Sequence, residues 1–211
     1  SWKDLIPVLS FVYLKGRCRY CHTPLSYQYP LVEILTGLMF VLVYFLVTTG
    51  QIFNFQFSIF NEFLNHKSLI INLFYYLFIV SSFIVIFFAD LKYGIIPDKI
   101  IFPAVIISLI WIATSHQQLA ISYLLSGVGA FLFFLFIYLI TKGKGMGFGD
   151  VKLAFLIGLV LGFPGIALAL YIAFLTGGGV GFILILWKKK SIKYAVPFGP
   201  FLVLGTLLSL F

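Results

Sequence analysis

Charged residues are rare in this sequence. Only 9% of its 211 residues are Asp, Glu, Lys or Arg, against roughly 25% in soluble domains. A water-soluble fold needs a polar surface, and this composition cannot supply one. Because 62% of the residues are hydrophobic, side chains can face lipid instead, and we predict a membrane protein.

Cysteine is also rare, since the chain contains only Cys18 and Cys21. Two cysteines exclude a disulfide scaffold. Their Cys-x-x-Cys spacing matches half of a zinc site, which needs two more ligands, and the adjacent His22 is poorly placed to be one. Zinc binding would require a second cysteine pair or histidines at suitable spacing, and we expect that residues upstream of Ser1 are missing. Two reduced thiols are at least as good an interpretation.

Long apolar runs follow a polar head formed by residues 1–29. A membrane-spanning helix needs about 20 apolar residues. The sequence lacks the alternation of polar and apolar residues that is typical of the strands of a membrane β-barrel. The sequence thus predicts an all-α polytopic bundle of about seven transmembrane helices over residues 30–211. The third, fifth and seventh apolar segments are short. The seven segments are 30–49, 69–89, 100–115, 119–140, 151–162, 165–187 and 197–211.

The basic residues predict the orientation of this bundle. With seven spans, the head lies on the same side as the loops at 90–99, 141–150 and 188–196. That side collects thirteen of the fourteen Lys and Arg residues, so the positive-inside rule makes it cytoplasmic. The loop at 50–68 is then external. Because topology explains the net charge of +8, we discard nucleic-acid binding; the predicted surroundings are a lipid bilayer.

Two acidic residues lie at the predicted cytoplasmic edge of the bundle. Asp90 closes the second apolar segment, and Asp150 opens the fifth. Two carboxylates at hydrogen-bonding distance cannot easily both ionise. Such a pair can activate a water and polarise a peptide carbonyl, as in aspartic proteases. Glycines before Asp150, including Gly147 and Gly149, disfavour continuous helix and would leave backbone open to an extended substrate.

Other interpretations of these acids remain open on spacing alone. Asp150 can cap the helix that follows it, and Asp98, directly after Pro97, is well placed to cap the third segment. The spacing does not decide whether Asp90 or Asp98 is the partner of Asp150. Intramembrane acids also serve transporters and ion pathways, although those acids tend to lie nearer the bilayer midplane.

Several stretches in order along the chain resemble the bacterial type IV prepilin peptidases, the GxGD aspartyl proteases of the inner membrane. The match begins in the head and ends near the last segment. Its motifs are Ile6-Pro7-Val8-Leu9-Ser10, Gly16-Arg17-Cys18-Arg19-Tyr20-Cys21, Tyr29-Pro30-Leu31-Val32-Glu33, Asp90 with Ile96-Pro97-Asp98, Gly147-Phe148-Gly149-Asp150-Val151-Lys152-Leu153 and Pro197-Phe198-Gly199-Pro200-Phe201.

The resemblance implies a function and a set of site residues. It implies that Asp90 and Asp150 are catalytic and that Asp98 has a supporting role. It implies cleavage, on the cytoplasmic side, of a short basic leader that precedes the apolar helix of a prepilin or pseudopilin. Many relatives also methylate the new N-terminus with S-adenosylmethionine. The further residues that its motifs single out are Gly147, Gly149, Pro197, Gly199, Glu33 and Lys152.

Glu33 and Lys152 each have more than one interpretation. Glu33, three residues after Pro30, fits a first-turn helix acid, and the resemblance also allows a role near substrate. Lys152 can snorkel to the membrane interface, or it can tune Asp150 or contact substrate.

Overall fold

The computed structural model describes residues 8–49, 66–115, 120–143, 145–186 and 197–210, leaving aside the side chains of 66–68, 115, 184 and 185. Helices make up most of this part of the chain, which confirms the all-α fold. The helices are α1 (Leu9–Tyr13), α2 (Gln28–Thr49), α3 (His66–Tyr93), α4 (Asp98–Ser115), α5 (Ala120–Ile140), α6 (Phe148–Leu186) and α7 (Gly199–Leu210).

Four of the described helices contain stretches long and apolar enough to cross a membrane. These stretches are Gln28–Thr49, Leu69–Tyr93, Ala120–Ile140 and Phe148–Ile183, and α7 is a shorter apolar helix. A helical membrane bundle is therefore confirmed, and the chain is an integral membrane protein.

The predicted fifth and sixth segments lie in one element, the 39-residue α6. Its backbone leaves helical geometry at Gly162 and Phe163, just before Pro164. Gly162 has φ of 63°, a left-handed conformation that side-chain-bearing residues rarely adopt, and proline has no N–H to donate to the helix. The break coincides with the predicted gap between the two segments.

Contacts with α7 fix the direction of the second half of α6. Gly177 packs beneath Phe198 and Phe201, at the start of α7. The hydroxyl of Ser209, near the end of α7, donates a 2.9 Å hydrogen bond to the carbonyl of Gly165. The second half of α6 therefore runs antiparallel to α7, and its later part lies beside the N-terminus of α7.

Contacts divide the chain into two compact units, Ser1–Phe45 and Leu46–Phe211, with the division inside α2. Asp90, Asp98 and Asp150 belong to the second unit. The predicted loops at 50–68 and 188–196 lie outside the described residues, apart from 66–68. Their sidedness stays a prediction.

Candidate active site

Asp90 lies in the last turn of α3, where the helix leaves its apolar stretch. The residue is buried, with 5% of its surface exposed. The backbone of Gly199, the first residue of α7, lies so close that a Cβ there would be 2.5 Å from Asp90 Oδ2. Among the described residues nothing donates a hydrogen bond to Oδ2, so this oxygen can still accept one.

Asp150 lies in the first turn of α6 and is equally buried, at 6% exposed. The backbone N–H of Gly147 donates to its Oδ2 over 3.2 Å. This bond resembles half of a capping box, in which an acid at the third helical position reaches back to the residue that precedes the helix. Asp150 therefore lies inside α6 and is not its N-cap residue, and only its Oδ2 bonds to the backbone at the start of the helix. Oδ1 is buried and has no hydrogen-bond partner in the described part of the chain.

Contacts with Ile96 link the surroundings of Asp90 and Asp150, because Gly199, beside Asp90, and Gly149, directly before Asp150, both pack against it. Helix α7 packs against both α3 and α6, so it joins the two elements that carry these acids. The two buried carboxylates therefore belong to helices that both pack against α7.

Ile96, in the turn between α3 and α4, is the apolar centre of this region. A Cβ at Gly149 would lie 3.0 Å from Ile96 Cβ, and a Cβ at Gly199 would lie 3.2 Å from Ile96 Cδ1. Ile96 therefore packs against the glycine before Asp150 and the glycine beside Asp90. Sequence reasoning missed its role, because an isoleucine before Pro97 in an apolar chain carries no distinguishing signal.

The glycines before Asp150 have two different local structures. Gly145 and Gly147 lie outside helix, and Gly147 is exposed, as an irregular backbone near the acid predicts. Gly149, in contrast, is helical. Because it has no side chain, Ile96 can pack directly against its backbone. Pro197 lies half-buried just before α7.

Asp98 is placed differently from the other two acids. It is the first residue of α4, and about half of its side chain is exposed. Its Oδ1 accepts a 2.7 Å charged hydrogen bond from Nζ of Lys152. Asp98 is therefore paired with a cation, whereas Asp90 and Asp150 are not paired with one in the residues described.

Glu33 is not a first-turn acid, and that interpretation is wrong. Helix α2 begins at Gln28, earlier than predicted, and its first turn contains no acidic residue. The helix can start there because Ser26 Oγ accepts the N–H of Gln28 and a proline is tolerated near a helix start. The Glu33 carboxylate accepts the N–H of Val8 over 2.7 Å instead, which ties α2 to the start of α1.

Cys18 and Cys21 lie on a tight turn in the first unit. The Cys21 thiol lies 3.0 Å from the hydroxyl of Thr23. Hydrogen bonds from that hydroxyl, then from the Thr23 backbone, lower the pKa of the Cys21 thiol to about 7. No group of three or more His, Cys, Asp or Glu residues forms within the described ranges. These two thiols alone do not fit a tetrahedral zinc ion, so a zinc site remains conditional on further ligands.

Comparisons with known proteins match nearly the whole chain. Residues 77–182 match the type IV leader peptidase family, and residues 1–47 match the bacterial peptidase A24 N-terminal domain. Proteins named prepilin leader peptidase/N-methyltransferase are similar to it. The one from Legionella pneumophila is 32% identical over 100% of this chain and 68% of its own length. The one from Aeromonas hydrophila is 30% identical over 95% of this chain and 63% of its own length. The one from Bacillus subtilis is 30% identical over 98% of this chain and 75% of its own length.

The chain thus spans about two thirds of the length of the first two relatives. No solved structure matches it.

Proposed function

Because the chain belongs to the type IV leader peptidase family, we propose that it is a membrane aspartyl endopeptidase whose catalytic pair is Asp90 and Asp150. The observation that carries the assignment is that both acids are buried near Ile96, which packs against Gly199 beside Asp90 and against Gly149 before Asp150, and that each has one carboxylate oxygen that accepts no hydrogen bond within the described part of the chain. Those two oxygens have unused hydrogen-bonding capacity for a water and a peptide carbonyl, and both are shielded from solvent in this structure, so the site must open to admit substrate. Family membership does not favour the ion-pathway alternative.

The pair works by sharing one proton. The ionised carboxylate takes a proton from water as the water oxygen bonds to the peptide carbonyl carbon, and the protonated carboxyl gives its proton to the carbonyl oxygen. The resulting gem-diol collapses as its C–N bond breaks. One carboxyl then protonates the leaving amine, the other recovers a proton from a diol hydroxyl, and the pair again holds one proton.

The backbone before Asp150 supports the binding of an extended substrate. A peptide bond inside a helix is shielded, so a substrate must unwind to reach the pair. Residues 145–147 lie outside helix, and Gly147 is exposed directly before Asp150. Backbone outside helix can pair with a peptide strand through main-chain hydrogen bonds, although the N–H of Gly147 already donates to Asp150 Oδ2 and its carbonyl accepts the N–H of Asp150. We propose that the scissile segment lies along residues 145–147.

We propose that the substrate is a prepilin or pseudopilin, by analogy with the names of the relatives. The protein would lie in the bacterial inner membrane with its head and site on the cytoplasmic side. A leader cut there leaves the apolar helix of the substrate in the membrane. Zinc, conditional on a second cysteine pair, would stabilise the head and takes no part in the proteolytic step.

The test uses the full chain in lipid vesicles with a polypeptide that has a basic leader and an apolar helix. The parent protein should cleave the leader. Asp90→Asn and Asp150→Asn, which keep side-chain shape, should each lower the cleavage rate by about a thousandfold or more. Lys99→Met, which removes an exposed charge near the site, is the control and should cleave as the parent does.

Cleavage at the parent rate by either asparagine variant would refute the catalytic pair. Mass spectrometry of the new N-terminus, with and without S-adenosylmethionine, measures methyl transfer in the same samples. That activity forms part of the relatives' names and is a separate question from cleavage.

A further inference from the structure

Lys152 contacts three residues around the proposed catalytic pair. Its ammonium lies 2.7 Å from Asp98 Oδ1. It also lies 5.2 Å from the ring centroid of Phe148 and 5.6 Å from that of Phe102, within the range of cation–π attraction. Asp98 and Phe102 belong to α4, whereas Phe148 belongs to α6. Lys152 therefore joins the beginning of α4 to the first turn of α6.

This arrangement differs from ordinary snorkelling, in which a lysine extends its ammonium into water. Only 23% of the Lys152 side chain is exposed. An isolated exposed ion pair contributes about 0–1 kcal/mol, partly because two long side chains must be ordered. Here the two rings already restrict the lysine, and partial burial lowers the local dielectric constant, which strengthens the attraction.

The joined segments are those that carry the two acids. Asp90 is followed by the turn that contains Ile96 and ends at Asp98, and Asp150 lies two residues before Lys152. Ile96 packs against Gly149 within the same interface. The turn after Asp90 is therefore held to the first turn of α6 by an apolar contact at Ile96 and an ionic contact at Asp98.

We propose that the Asp98–Lys152 ion pair is a positioning clamp, which sets the mutual orientation of the Asp90 and Asp150 carboxylates. Neither clamp residue touches the reacting atoms; both act through the backbone of the segments they join. The inference rests on the proposed peptidase function, because its kinetic effect is exerted on that reaction. Small displacements of reacting groups lower the rate of the chemical step more than they weaken substrate binding.

The kinetic test compares purified full-length variants on the substrate described above. Asp98→Asn and Lys152→Met should each lower kcat about tenfold, with KM changed by less than about twofold because the substrate-binding backbone is kept. The double variant should be no slower than either single variant, since each breaks the same contact. Lys152→Arg and the exchanged pair Asp98→Lys with Lys152→Asp should recover most of kcat.

Lys99→Met is the matched control, since Lys99 neighbours Asp98 but makes no ion pair within the described residues. The clamp is refuted if Lys152→Met is no slower than Lys99→Met, if the two single losses multiply in the double variant, or if the change lies in KM alone.

A distance measurement tests the clamp without relying on activity. Spin labels at Ile95→Cys and Met146→Cys, with Cys18 and Cys21 replaced by serine, report the separation of the two joined segments. Lys152→Met should broaden or shift the distance distribution, and Lys99→Met should leave it unchanged. An unchanged distribution in Lys152→Met overturns the clamp. If Lys152→Met changes the distance distribution but the parent protein cleaves no substrate, the ion pair keeps its structural role and the proposed peptidase function is wrong.

Discussion

Gly199 shows at the scale of one residue how close the backbone comes to the proposed catalytic pair. The site that its Cβ would occupy is 2.5 Å from Asp90 Oδ2 and 3.1 Å from Asp90 Cγ, well inside van der Waals contact. Its neighbour Pro200 is buried in the first turn of α7, where a proline is tolerated. A side chain at residue 199 must therefore displace the carboxylate or the start of α7.

Gly199→Ala is expected to lower kcat for leader cleavage by about a hundredfold, because a displacement of about 1 Å of a reacting group has effects of that size. Gly178→Ala is the control, since nothing lies within 4 Å of a Cβ there. Circular dichroism and gel filtration should show both variants folded. If Gly199→Ala cleaves with the kcat of the parent protein, the Asp90 carboxylate can move without any loss of activity.

Gly158 shows, at the scale of elements, how closely α5 and α6 cross. A Cβ at Gly158 would lie 2.6 Å from Gly127 Cα and 2.7 Å from the carbonyl oxygen of Ser126. Two helix backbones can meet so closely in a membrane only where small residues face each other. This crossing fixes the first half of α6, and therefore Asp150, against α5.

Gly158→Ala is expected to destabilise the bundle by about 1–3 kcal/mol, the usual cost of overpacking, because the contacting atoms are backbone and cannot rotate away. Gly129→Ala, on α5 with nothing within 4 Å of its added Cβ, should be neutral or slightly stabilising. Thermal unfolding in detergent measures both. Equal midpoints for the two variants would contradict the close crossing.

At the scale of the whole molecule, the central prediction is that the two ends of each membrane-spanning helix lie on opposite sides of the bilayer. Helix α4 has 18 residues and a length of about 27 Å at 1.5 Å per residue, comparable with the roughly 30 Å hydrocarbon core. If α4 crosses the membrane, its two ends lie on opposite sides, with the Asp98 end on the cytoplasmic side.

Single cysteines at Lys99 and Thr114, both exposed, test this orientation once Cys18 and Cys21 are replaced by serine. A membrane-impermeant maleimide should label Lys99→Cys only in inside-out vesicles and Thr114→Cys only in right-side-out vesicles. The reverse pattern would place the proposed site outside the cell, and labelling of both from one side would mean that α4 does not cross.

The positions of the helices could be predicted from the sequence because their causes are local. An apolar run long enough to span lipid must satisfy its own backbone hydrogen bonds, and helix is the way for a single segment to do so. The break in α6 could also be predicted, because the residues that cause it, Gly162 and Pro164, lie at the break itself. The start of α2 was missed because a proline in a first turn does not stop a helix from beginning before it.

The partners of the acidic side chains were decided only by the tertiary structure. Spacing allowed either Asp90 or Asp98 to meet Asp150, and it left Lys152 with several roles. Which side chains meet depends on the helix faces that pack together, here on α7 between α3 and α6 and on Ile96 between two glycines. Such packing joins residues far apart in the chain, so no local pattern could show that Asp98 binds Lys152 or that Asp90 and Asp150 are both buried near Ile96.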